Sequence, residues 1–389
     1  MTICVLHVIP SISTAEGGPA RAIRVMERAL SSAGVCVTVL TTDFDGPGRR
    51  LSDSAKGQVG NGVTRVYITR WTDAYKIAPG AIPWLWRNVG RFDVVHIHAL
   101  FSFLSVVAGA IAFARGVPYV IRPLGTLARY GVTQRRPWLK RLSIALVEGP
   151  LLRRAGFVHC TSQAELEEAR LQGIAFRGGV IPLGVENASA KAEEPTAAAE
   201  REQKILFLSR IDPKKNVEGL LRAFALLAER RPNAVLLIAG SGPAEYLARL
   251  KSLAQELAIA GRVQWLGYVE GEAKAALLAS AELFVLPSFS ENFGIAVVEA
   301  MLAGIPCVLS RGVGIADESQ AAGCSVVVAP EPAAIAAALV DLLGDGDRRQ
   351  HMGRLAKAWA ERAYSTETMA TRLLDLYAGL AAPRPSQAA

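Results

Sequence analysis

The stretch LFVLPSFSENFGIAVVEAMLAGIP, residues 283–306, decides the fold of this chain. Its first residues are apolar and run into a proline, which predicts a short buried strand. An apolar helical run begins near Ile295. Glu291 should therefore lie in the loop at the carboxyl end of a strand, and Glu299 in the next helix. Open parallel sheets bind ligands at that edge. Two interpretations stay open: a pair of ligand-binding carboxylates, or an ordinary loop glutamate and a solvated helix glutamate.

Strand-like and helix-like segments alternate along the whole chain. In the first half the predicted strands are 3–9, 35–41, 94–98, 119–122, 157–160 and 180–182, with helices beginning near Pro19, Phe101, Pro137 and Gln163. In the second half the predicted strands are 205–209, 235–239, 263–266, 283–286, 307–310 and 326–328, with helices beginning near Asn216, Pro243, Gly271, Ile295 and Glu331. Such alternation predicts parallel sheets joined by crossover helices, an α/β fold.

The length of 389 residues and the composition predict two domains. Residues 187–195 are rich in Ala and Glu, as linkers often are. The predicted segments are an N-terminal domain 1–184, a linker 185–203, a C-terminal domain 204–365, a last helix 366–382 and a disordered tail 383–389.

The two glutamates resemble the E-x7-E signature of retaining glycosyltransferases, above all glycosyltransferase family 4. Asn-Phe-Gly between them and Glu-Ala-Met-Leu-Ala-Gly-Ile-Pro at 299–306 are also similar to that family. The resemblance implies the GT-B fold, in which two Rossmann-like doubly wound domains face each other across a cleft. It also implies that the last helix packs back on the first domain.

The resemblance gives the glutamates roles in binding a nucleotide-diphosphate sugar. Glu291 would contact the sugar hydroxyls and Glu299 would hold the ribose. Backbone amides of the intervening turn would help bind the donor, because amides at a helix start suit an oxygen-rich ligand. The turn residues are Asn292, Phe293, Gly294 and Ile295.

Positive charge follows the first predicted strand of the second half. Arg210 and Lys215 stand between that strand and its helix, and fixed cations there can stabilise a departing diphosphate without a metal ion. An exposed basic loop is the alternative interpretation. In the resembled family, residues at these two positions bind the donor diphosphate. We therefore expect no metal and no cofactor besides the nucleotide-sugar substrate.

Three glycines are further candidates for donor binding. Gly17 and Gly18 form a turn between the first strand and its helix, where a missing side chain allows close approach of a ligand. No Gly-Lys-Ser/Thr follows, so the turn is not a P-loop. Gly242 follows the second strand of the C-terminal half and is expected in the floor of the nucleotide pocket.

The expected acceptor side departs from the family pattern. Many relatives carry a histidine in the loop after the strand 119–122, where this chain has Arg122. An arginine practically never gives up its proton, so Arg122 would bind an anionic group rather than act as a base. His98 ends the preceding strand, and by alternation His96 shares its face. The hypothesis is that His98 and Arg122 flank the acceptor site, with buried core histidines as the alternative.

The motif Asp43-Phe44-Asp45 has the form of a DxD metal signature, which belongs to a different transferase fold. We interpret it as a turn, since Asp is common in turns. The five cysteines are odd in number and form no CxxC. They suggest neither a disulfide framework nor a zinc site, and so favour a reducing, cytoplasmic location. The N-terminus lacks the features of a signal peptide.

The excess positive charge lies in the first half. Residues 1–184 hold 22 basic and 11 acidic residues, a net of +11, whereas the whole chain carries +8. Segment 129–154 combines seven basic residues with Tyr130, Trp138 and several leucines. Three interpretations compete: a solvated helix face, a patch that binds an anionic membrane surface at the inner face of the plasma membrane, or a nucleic-acid patch. No nucleic-acid motif accompanies the charge, so no nucleic-acid partner is expected.

The sequence thus predicts a retaining, metal-independent glycosyltransferase. It would move a sugar from a UDP- or GDP-sugar to a hydroxyl of a glycan or polyprenyl-linked acceptor, in polysaccharide or glycolipid biosynthesis. Two alternatives remain. One is a sugar-nucleotide epimerase on the same architecture, and the other is a non-catalytic subunit that binds sugar nucleotides.

Overall fold

A computed structural model describes residues 2–13, 17–46, 48–51, 62–128, 137–186 and 202–381. The chain forms two compact units. The N-terminal unit comprises the residues up to Gly184 together with those from Ser365 onward. The C-terminal unit comprises Val185–Tyr364. The predicted linker lies mostly in 187–201, and the predicted tail in 382–389, both outside the described residues.

The N-terminal unit contains a seven-stranded sheet in the order β3-β2-β1-β4-β5-β6-β7. Every strand pair is parallel. The strands are β1 (Cys4–Val8), β2 (Cys36–Thr42), β3 (Val63–Ile68), β4 (Val94–His98), β5 (Tyr119–Arg122), β6 (Phe157–Cys160) and β7 (Gly178–Val180). The strand order reverses direction between β1 and β4, and such a switch point is where open α/β sheets bind ligands.

Helices cover this sheet. They are α1 (Gly18–Ser32), α2 (Ala81–Asn88), α3 (Phe103–Ala114), α4 (Pro137–Ser143), α5 (Gly149–Arg154) and α6 (Gln163–Arg170). A π-helical turn, Ile144–Glu148, joins α4 to α5. Ser102 caps the N-terminus of the apolar helix α3, because its hydroxyl accepts a hydrogen bond from the amide of Ser105. Leu104 and Ala108 of α3 are fully buried in the core, as expected for a crossover helix.

The C-terminal unit contains a six-stranded sheet in the order β10-β9-β8-β11-β12-β13. All of its strand pairs are parallel. The strands are β8 (Gln203–Leu208), β9 (Ala234–Ala239), β10 (Val263–Gly267), β11 (Leu283–Leu286), β12 (Cys307–Ser310) and β13 (Ser325–Val328). The switch point of this sheet lies between β8 and β11, the two strands that precede the predicted donor-binding loops.

The helices of this unit are α7 (Val217–Arg230), α8 (Ala244–Glu256), α9 (Gly271–Ser280), α10 (Ile295–Leu302), α11 (Ala316–Ala321), α12 (Pro332–Gly344) and α13 (Gly346–Ala363). Among the described residues, short 3₁₀ turns span Ala74–Lys76 and Val89–Arg91 in the N-terminal unit, and Pro213–Lys215 and Ala260–Arg262 in the C-terminal unit. The last helix, α14 (Thr366–Leu380), belongs to the N-terminal unit. Its Leu373 and Tyr377 are fully buried there.

The structure corrects the predicted elements in the first half. The sequence interpretation missed β3, an edge strand in which only Val63 is buried, so its apolar pattern is weak. Strand β7 begins two glycines earlier than predicted, and glycine carries no side-chain signal. None of the described helices combines the length and the apolar character that a membrane span needs.

Candidate functional site

The loops that follow β8 and β11 meet at the switch point of the C-terminal sheet. The amide of Phe289 donates to the carbonyl of Lys214 (2.8 Å), which joins the two loops through their backbones. The ammonium of Lys215 forms an ion pair with Oε2 of Glu291. Lys215 is almost fully buried, whereas about a quarter of the Glu291 side chain is exposed (23%). Two residues predicted separately, 76 positions apart, thus lie in direct contact.

The backbone of Glu291 is hydrogen-bonded to the loop that follows β12. Its amide donates to the carbonyl of Gly312 (2.8 Å), and the amide of Gly314 donates to its carbonyl (2.7 Å). Glu291 and Val313 form an isolated parallel bridge. A side chain at Gly312 would lie 2.4 Å from the carbonyl oxygen of Ser288, so only glycine fits this approach. The carboxylate of Glu291 is therefore presented from a fixed backbone.

Several cations surround the Lys215–Glu291 pair. Burial lowers the pKa of Lys214, and the neighbouring charges of Lys215 and Arg210 lower it further, while Glu291 opposes them. Arg210 itself is exposed. Arg210, Lys214 and Lys215 are close enough to repel one another electrostatically. They form a site at which a bound diphosphate would reduce that repulsion. Lys214, which was not among the predicted site residues, thus belongs to this group.

The turn into α10 is built around a left-handed glycine. Gly294 has φ 96° and precedes the first helical residue, Ile295. Phe293 points inward and packs edge-on against Tyr364, with ring centroids 5.4 Å apart. Its side chain therefore anchors the turn, and only its backbone is suited to a ligand. Asn292 is half-buried beside it.

Glu299, the second glutamate of the motif, lies on α10 and is 6% exposed. Its Oε1 accepts a hydrogen bond from the ammonium of Lys274 at 2.8 Å. Lys274 lies on α9 and is 5% exposed. The sequence analysis missed Lys274. The sequence did contain an indication of its role. Lys274 lies four residues before Leu278, at a position where an amphipathic helix normally has an apolar side chain.

Gly242 and Gly240 bring the loop after β9 against the loop after β8. A side chain at Gly242 would lie 2.2 Å from the carbonyl oxygen of Ile211. Gly240 has φ 144°, and a side chain there would lie 1.8 Å from the carbonyl oxygen of Ser209. The amide of Ile211 donates to the carbonyl of Ser241 (2.8 Å). These glycines thus fix the loop that carries Arg210.

Gly17 and Gly18 lie at the switch point of the N-terminal sheet. Gly17 has φ 69° and precedes α1, and its carbonyl accepts from the amide of Arg21 (3.2 Å). Residues 14–16 of this loop lie outside the described part of the chain. A ligand contact for either glycine stays a prediction.

Four of the five histidines form one buried cluster in the N-terminal unit. They are His7, His96, His98 and His159. Nδ1 of His7 and Nε2 of His98 lie 2.9 Å apart. Burial lowers the pKa of all four, and the positive charge of Arg122 adds to the effect. The pKa of His7 and that of His159 fall to about 3. The imidazoles are therefore neutral at physiological pH.

Neutrality fixes the direction of one hydrogen-bond chain through the cluster. Nε2 of His159 must donate to the carbonyl of Ile181 (2.7 Å), because a carbonyl only accepts. Nδ1 of His159 then accepts from Nε2 of His96 (3.3 Å). Nδ1 of His96 is left as an acceptor, and the hydroxyl of Tyr377 donates to it (2.7 Å). The chain joins helix α14 to the middle of the sheet.

Among the described residues, His7, His96 and His98 form a group that could hold a metal ion. Each offers a ring nitrogen within 4.8 Å of the others. The rings of His7 and His98 are nearly parallel, at 12°, with centroids 5.1 Å apart. The centroid separation nearly equals the distance between Nδ1 of His7 and Nε2 of His98 plus the radii of the two rings. The two rings therefore lie edge to edge, with these nitrogens pointing at each other. A shared proton suits that geometry better than a metal ion, and the charge of Arg122 also disfavours a cation.

His98 and Arg122 are register partners at the ends of β4 and β5. Both side chains are buried, at 0% and 2% exposure, and burial lowers the pKa of Arg122 to about 10. The loops after them hold three non-glycine residues with positive φ: Ala99 (77°), Phe101 (55°) and Leu124 (59°). Such strain clusters at functional sites. A role for His98 and Arg122 at an acceptor site stays a prediction, and it requires that both become accessible.

The DxD-like residues have structural partners. Oδ1 of Asp43 accepts from the amide of Arg70 (3.0 Å), and Oδ1 of Asp45 accepts from the hydroxyl of Ser13 (2.8 Å). Arg70 also lies over the ring of Phe44, with its guanidinium carbon 4.7 Å from the centroid. The two carboxylates thus have structural partners, while Phe44 between them forms an isolated antiparallel bridge with Arg50 instead of the expected turn.

The described part of the basic segment, 137–154, exposes both charge and apolar surface. Trp138 is 66% exposed, Leu142 50% and Leu146 68%. Arg141 and Arg153 are exposed beside them. Residues 129–136, which hold Tyr130 and three of the predicted arginines, lie outside the described residues.

Two family models match the chain. "Glycosyl transferases group 1" matches residues 189–359, and "Glycosyl transferase 4-like domain" matches residues 17–184. A D-inositol 3-phosphate glycosyltransferase of Streptomyces avermitilis is 30% identical over 325 residues, 76% of this chain and 67% of that protein. A GDP-mannose-dependent alpha-(1-6)-phosphatidylinositol monomannoside mannosyltransferase of Mycolicibacterium smegmatis is 32% identical over 216 residues, 51% of this chain and 56% of that protein. The matches span about half to two thirds of the length of these curated relatives.

Solved structures match nearly the whole chain. Anabaena HepE in complex with UDP has a TM-score of 0.76 at 18% identity and covers 97% of this chain and 100% of its own. Sucrose-phosphate synthase from Thermosynechococcus elongatus has a TM-score of 0.73 at 22% identity, and the match covers 97% of this chain and 99% of that structure. At such identities the likeness shows the fold alone. The predicted GT-B fold with two parallel-sheet domains is confirmed.

Proposed function

Because the chain belongs to the group 1 glycosyltransferases, we propose that it moves a sugar from a nucleotide-diphosphate donor to an acceptor hydroxyl. The observation that carries the proposal is the Lys215–Glu291 pair at the switch point, with Arg210 and Lys214 around it. One relative is named for GDP-mannose, and HepE is described with UDP and UDP-glucose. A UDP- or GDP-sugar is accordingly the proposed donor.

In the proposed reaction the ion pair exchanges partners when the donor binds. Lys215 turns to the diphosphate, together with Arg210, and Glu291 becomes available to accept hydrogen bonds from the sugar hydroxyls. Backbone amides between Asn292 and Ile295 contact the donor as well. Glu299 accepts from the ribose hydroxyls. Gly17, Gly18 and Gly242 let the donor approach the backbone closely.

The proposed chemistry retains the configuration at the sugar carbon. The bond from that carbon to the diphosphate oxygen breaks, and the bond to the acceptor oxygen forms on the same face. The acceptor proton passes to an oxygen of the leaving diphosphate, and the cations stabilise the charge that develops there. Metal independence follows because Arg210, Lys214 and Lys215 supply positive charge where other transferases use a metal ion. Arg122 and His98 are proposed for acceptor binding.

The acceptor is proposed to be a glycan or lipid-linked molecule at an anionic membrane surface. The support is segment 137–154, which exposes Trp138, Leu142 and Leu146 and also carries four basic residues. Amphipathic basic segments of this kind bind the interface of anionic bilayers. A peripheral enzyme of polysaccharide or glycolipid synthesis suits such a surface.

Calorimetric titration with UDP, GDP, ADP and CMP in EDTA tests the proposal. One diphosphate should bind without metal, and Lys215→Met should weaken it by roughly tenfold or more, since a charged hydrogen bond is lost. Lys357→Met is the matched control, because Lys357 is exposed on α13. Failure of all four nucleotides to bind would contradict the donor site.

Incubation with the corresponding nucleotide sugars then separates the alternatives. Transfer to added acceptor with retained configuration, read by NMR of the product, supports the proposal. Conversion of the donor into an isomeric sugar nucleotide without acceptor would indicate an epimerase. Binding with neither transfer nor hydrolysis would indicate a non-catalytic subunit.

A further inference from the structure

Lys274 and Glu299 form a buried ion pair that the proposed reaction does not yet explain. The ammonium and Oε1 lie 2.8 Å apart, and each side chain is 6% exposed. Glu299 is the only polar residue of α10, whose other residues are Ile, Ala, Val, Met and Leu. Its neighbours Val298 and Ala300 are fully buried. A charge in such surroundings persists only with a partner.

The C-terminal unit does not need the Lys274–Glu299 ion pair for its stability. Two well-packed apolar side chains in place of a buried ion pair often leave a protein as stable or more so. In α9 the buried positions are Lys274, Ala275 and Leu278, and an apolar residue at 274 would continue that face. A charged residue on an otherwise apolar buried face, such as Lys274, breaks the local pattern of the sequence and indicates a functional role.

Resting on the proposed function, we infer that Lys274 is a positioning residue that aims the carboxylate of Glu299 at the ribose hydroxyls of the donor. The ammonium engages Oε1 and thereby fixes the plane of the carboxylate. A carboxylate has about four acceptor positions, so Glu299 can accept from ribose hydroxyls while it is paired. The positive charge also offsets the repulsion that a buried carboxylate would exert on the anionic donor.

The two effects of Lys274 can be separated by experiment. Its charge acts on any nucleoside diphosphate, whether or not the ribose hydroxyls are present. Its positioning of Glu299 acts only on donors that carry those hydroxyls. The ratio of dissociation constants for the 2′,3′-dideoxy and the ordinary nucleoside diphosphate therefore reports positioning and is insensitive to a purely electrostatic or structural role.

The experiment measures this ratio by calorimetry with the nucleoside diphosphate that the wild type binds. For the wild type we expect the dideoxy analogue to bind roughly 10- to 100-fold more weakly, since hydrogen bonds to a charged group are lost. Lys274→Met should bring the ratio close to one. Lys251→Met, on the exposed side of α8, should leave it unchanged.

A double-mutant cycle completes the test. Glu299→Gln alone should reduce the ratio, and adding Lys274→Met should then change it little, because Lys274 acts through Glu299. If Lys274→Met fails to fold, as judged by circular dichroism, Lys274→Gln replaces it, and an intermediate ratio is expected. An unchanged ratio in the Lys274 variant, or equal weakening of both ligands, would overturn the inference. A wild type that binds no nucleotide would instead overturn the proposed function.

Discussion

The hydroxyl of Tyr377 lies 2.7 Å from Nδ1 of His96, although the two residues are 281 positions apart in the chain. This hydrogen bond ends the directed chain that runs through His159 to the carbonyl of Ile181. It ties helix α14, the last helix of the sequence, to strand β4 in the middle of the N-terminal sheet. The donor and acceptor are both fully buried, so neither can exchange its partner for water.

Tyr377→Phe should therefore destabilise the N-terminal unit. The substitution removes one hydrogen bond and leaves Nδ1 of His96 buried without a donor, which costs about 1–3 kcal/mol. Urea denaturation followed by circular dichroism measures the change. Tyr268→Phe is the control, because its hydroxyl bonds to Glu270 at the surface and its loss should stay within about 0.5 kcal/mol. Equal stability of the two variants would mean that the chain contributes nothing to the attachment of α14.

The histidine cluster predicts acid sensitivity. The pKa of His7 and of His159 falls from 6.5 in the unfolded chain to about 3 in the folded one. Between these values the unfolded chain binds more protons, so stability is complete above about pH 6.5 and is lost as the pH falls toward 3. Each histidine contributes up to about 1.4 kcal/mol per pH unit.

Urea denaturation at about pH 7.5 and about pH 5.5 measures this dependence. The free energy of unfolding should fall with pH in the wild type. His351→Gln should show the same slope, because His351 is exposed on α13 outside the cluster. His159→Gln should show a smaller one. A free energy that stays constant across this range would show that the buried histidines do not govern acid stability.

The sequence placed the residues of the proposed donor site on the right loops, because each position depends on local sequence. Arg210, Lys215 and Glu291 each follow a strand directly, and the carboxyl ends of parallel strands meet at one edge. The contact between Lys215 and Glu291 is therefore consistent with the predicted fold class. His96 and His98 were expected on one face by alternation, and their ring centroids are 4.3 Å apart.

What the sequence did not reveal depends on contacts between distant elements. Lys274 of α9 reaches Glu299 of α10 through its long side chain, and no periodicity encodes that pairing. His7 and His159 join the cluster because the strand order places β1 and β6 near β4. The edge strand β3 was missed since one exposed face removes most of the apolar signal. Local patterns therefore predict elements and their ends, while pairings between buried side chains require the tertiary structure.

The close approach at Gly242 predicts that a single methyl group disturbs the loop that carries Arg210. In Gly242→Ala the new carbon would lie 2.2 Å from the carbonyl oxygen of Ile211, so the backbone must shift, at a cost of about 1–3 kcal/mol. Nucleoside diphosphate binding should weaken as well, because Ile211 adjoins Arg210. Thermal denaturation and calorimetry measure the two effects. Gly261→Ala is the control, since nothing lies within 4 Å of the added carbon there, and it should change neither quantity appreciably.

The exposed face of segment 137–154 predicts binding to anionic membranes. Trp138, Leu142 and Leu146 follow one another at spacings of four, which places neighbouring members on one helical face. Each basic residue near an anionic surface adds about 1 kcal/mol of attraction.

The wild type should therefore sediment with vesicles that contain phosphatidylglycerol, and less of it should sediment at high salt. Little should sediment with vesicles of phosphatidylcholine alone. The triple variant Trp138→Ser, Leu142→Ser, Leu146→Ser should stay in the supernatant. Leu171→Ser, which changes an 81% exposed leucine elsewhere, should sediment like the wild type. Equal sedimentation of both variants would show that this face does not contact the bilayer.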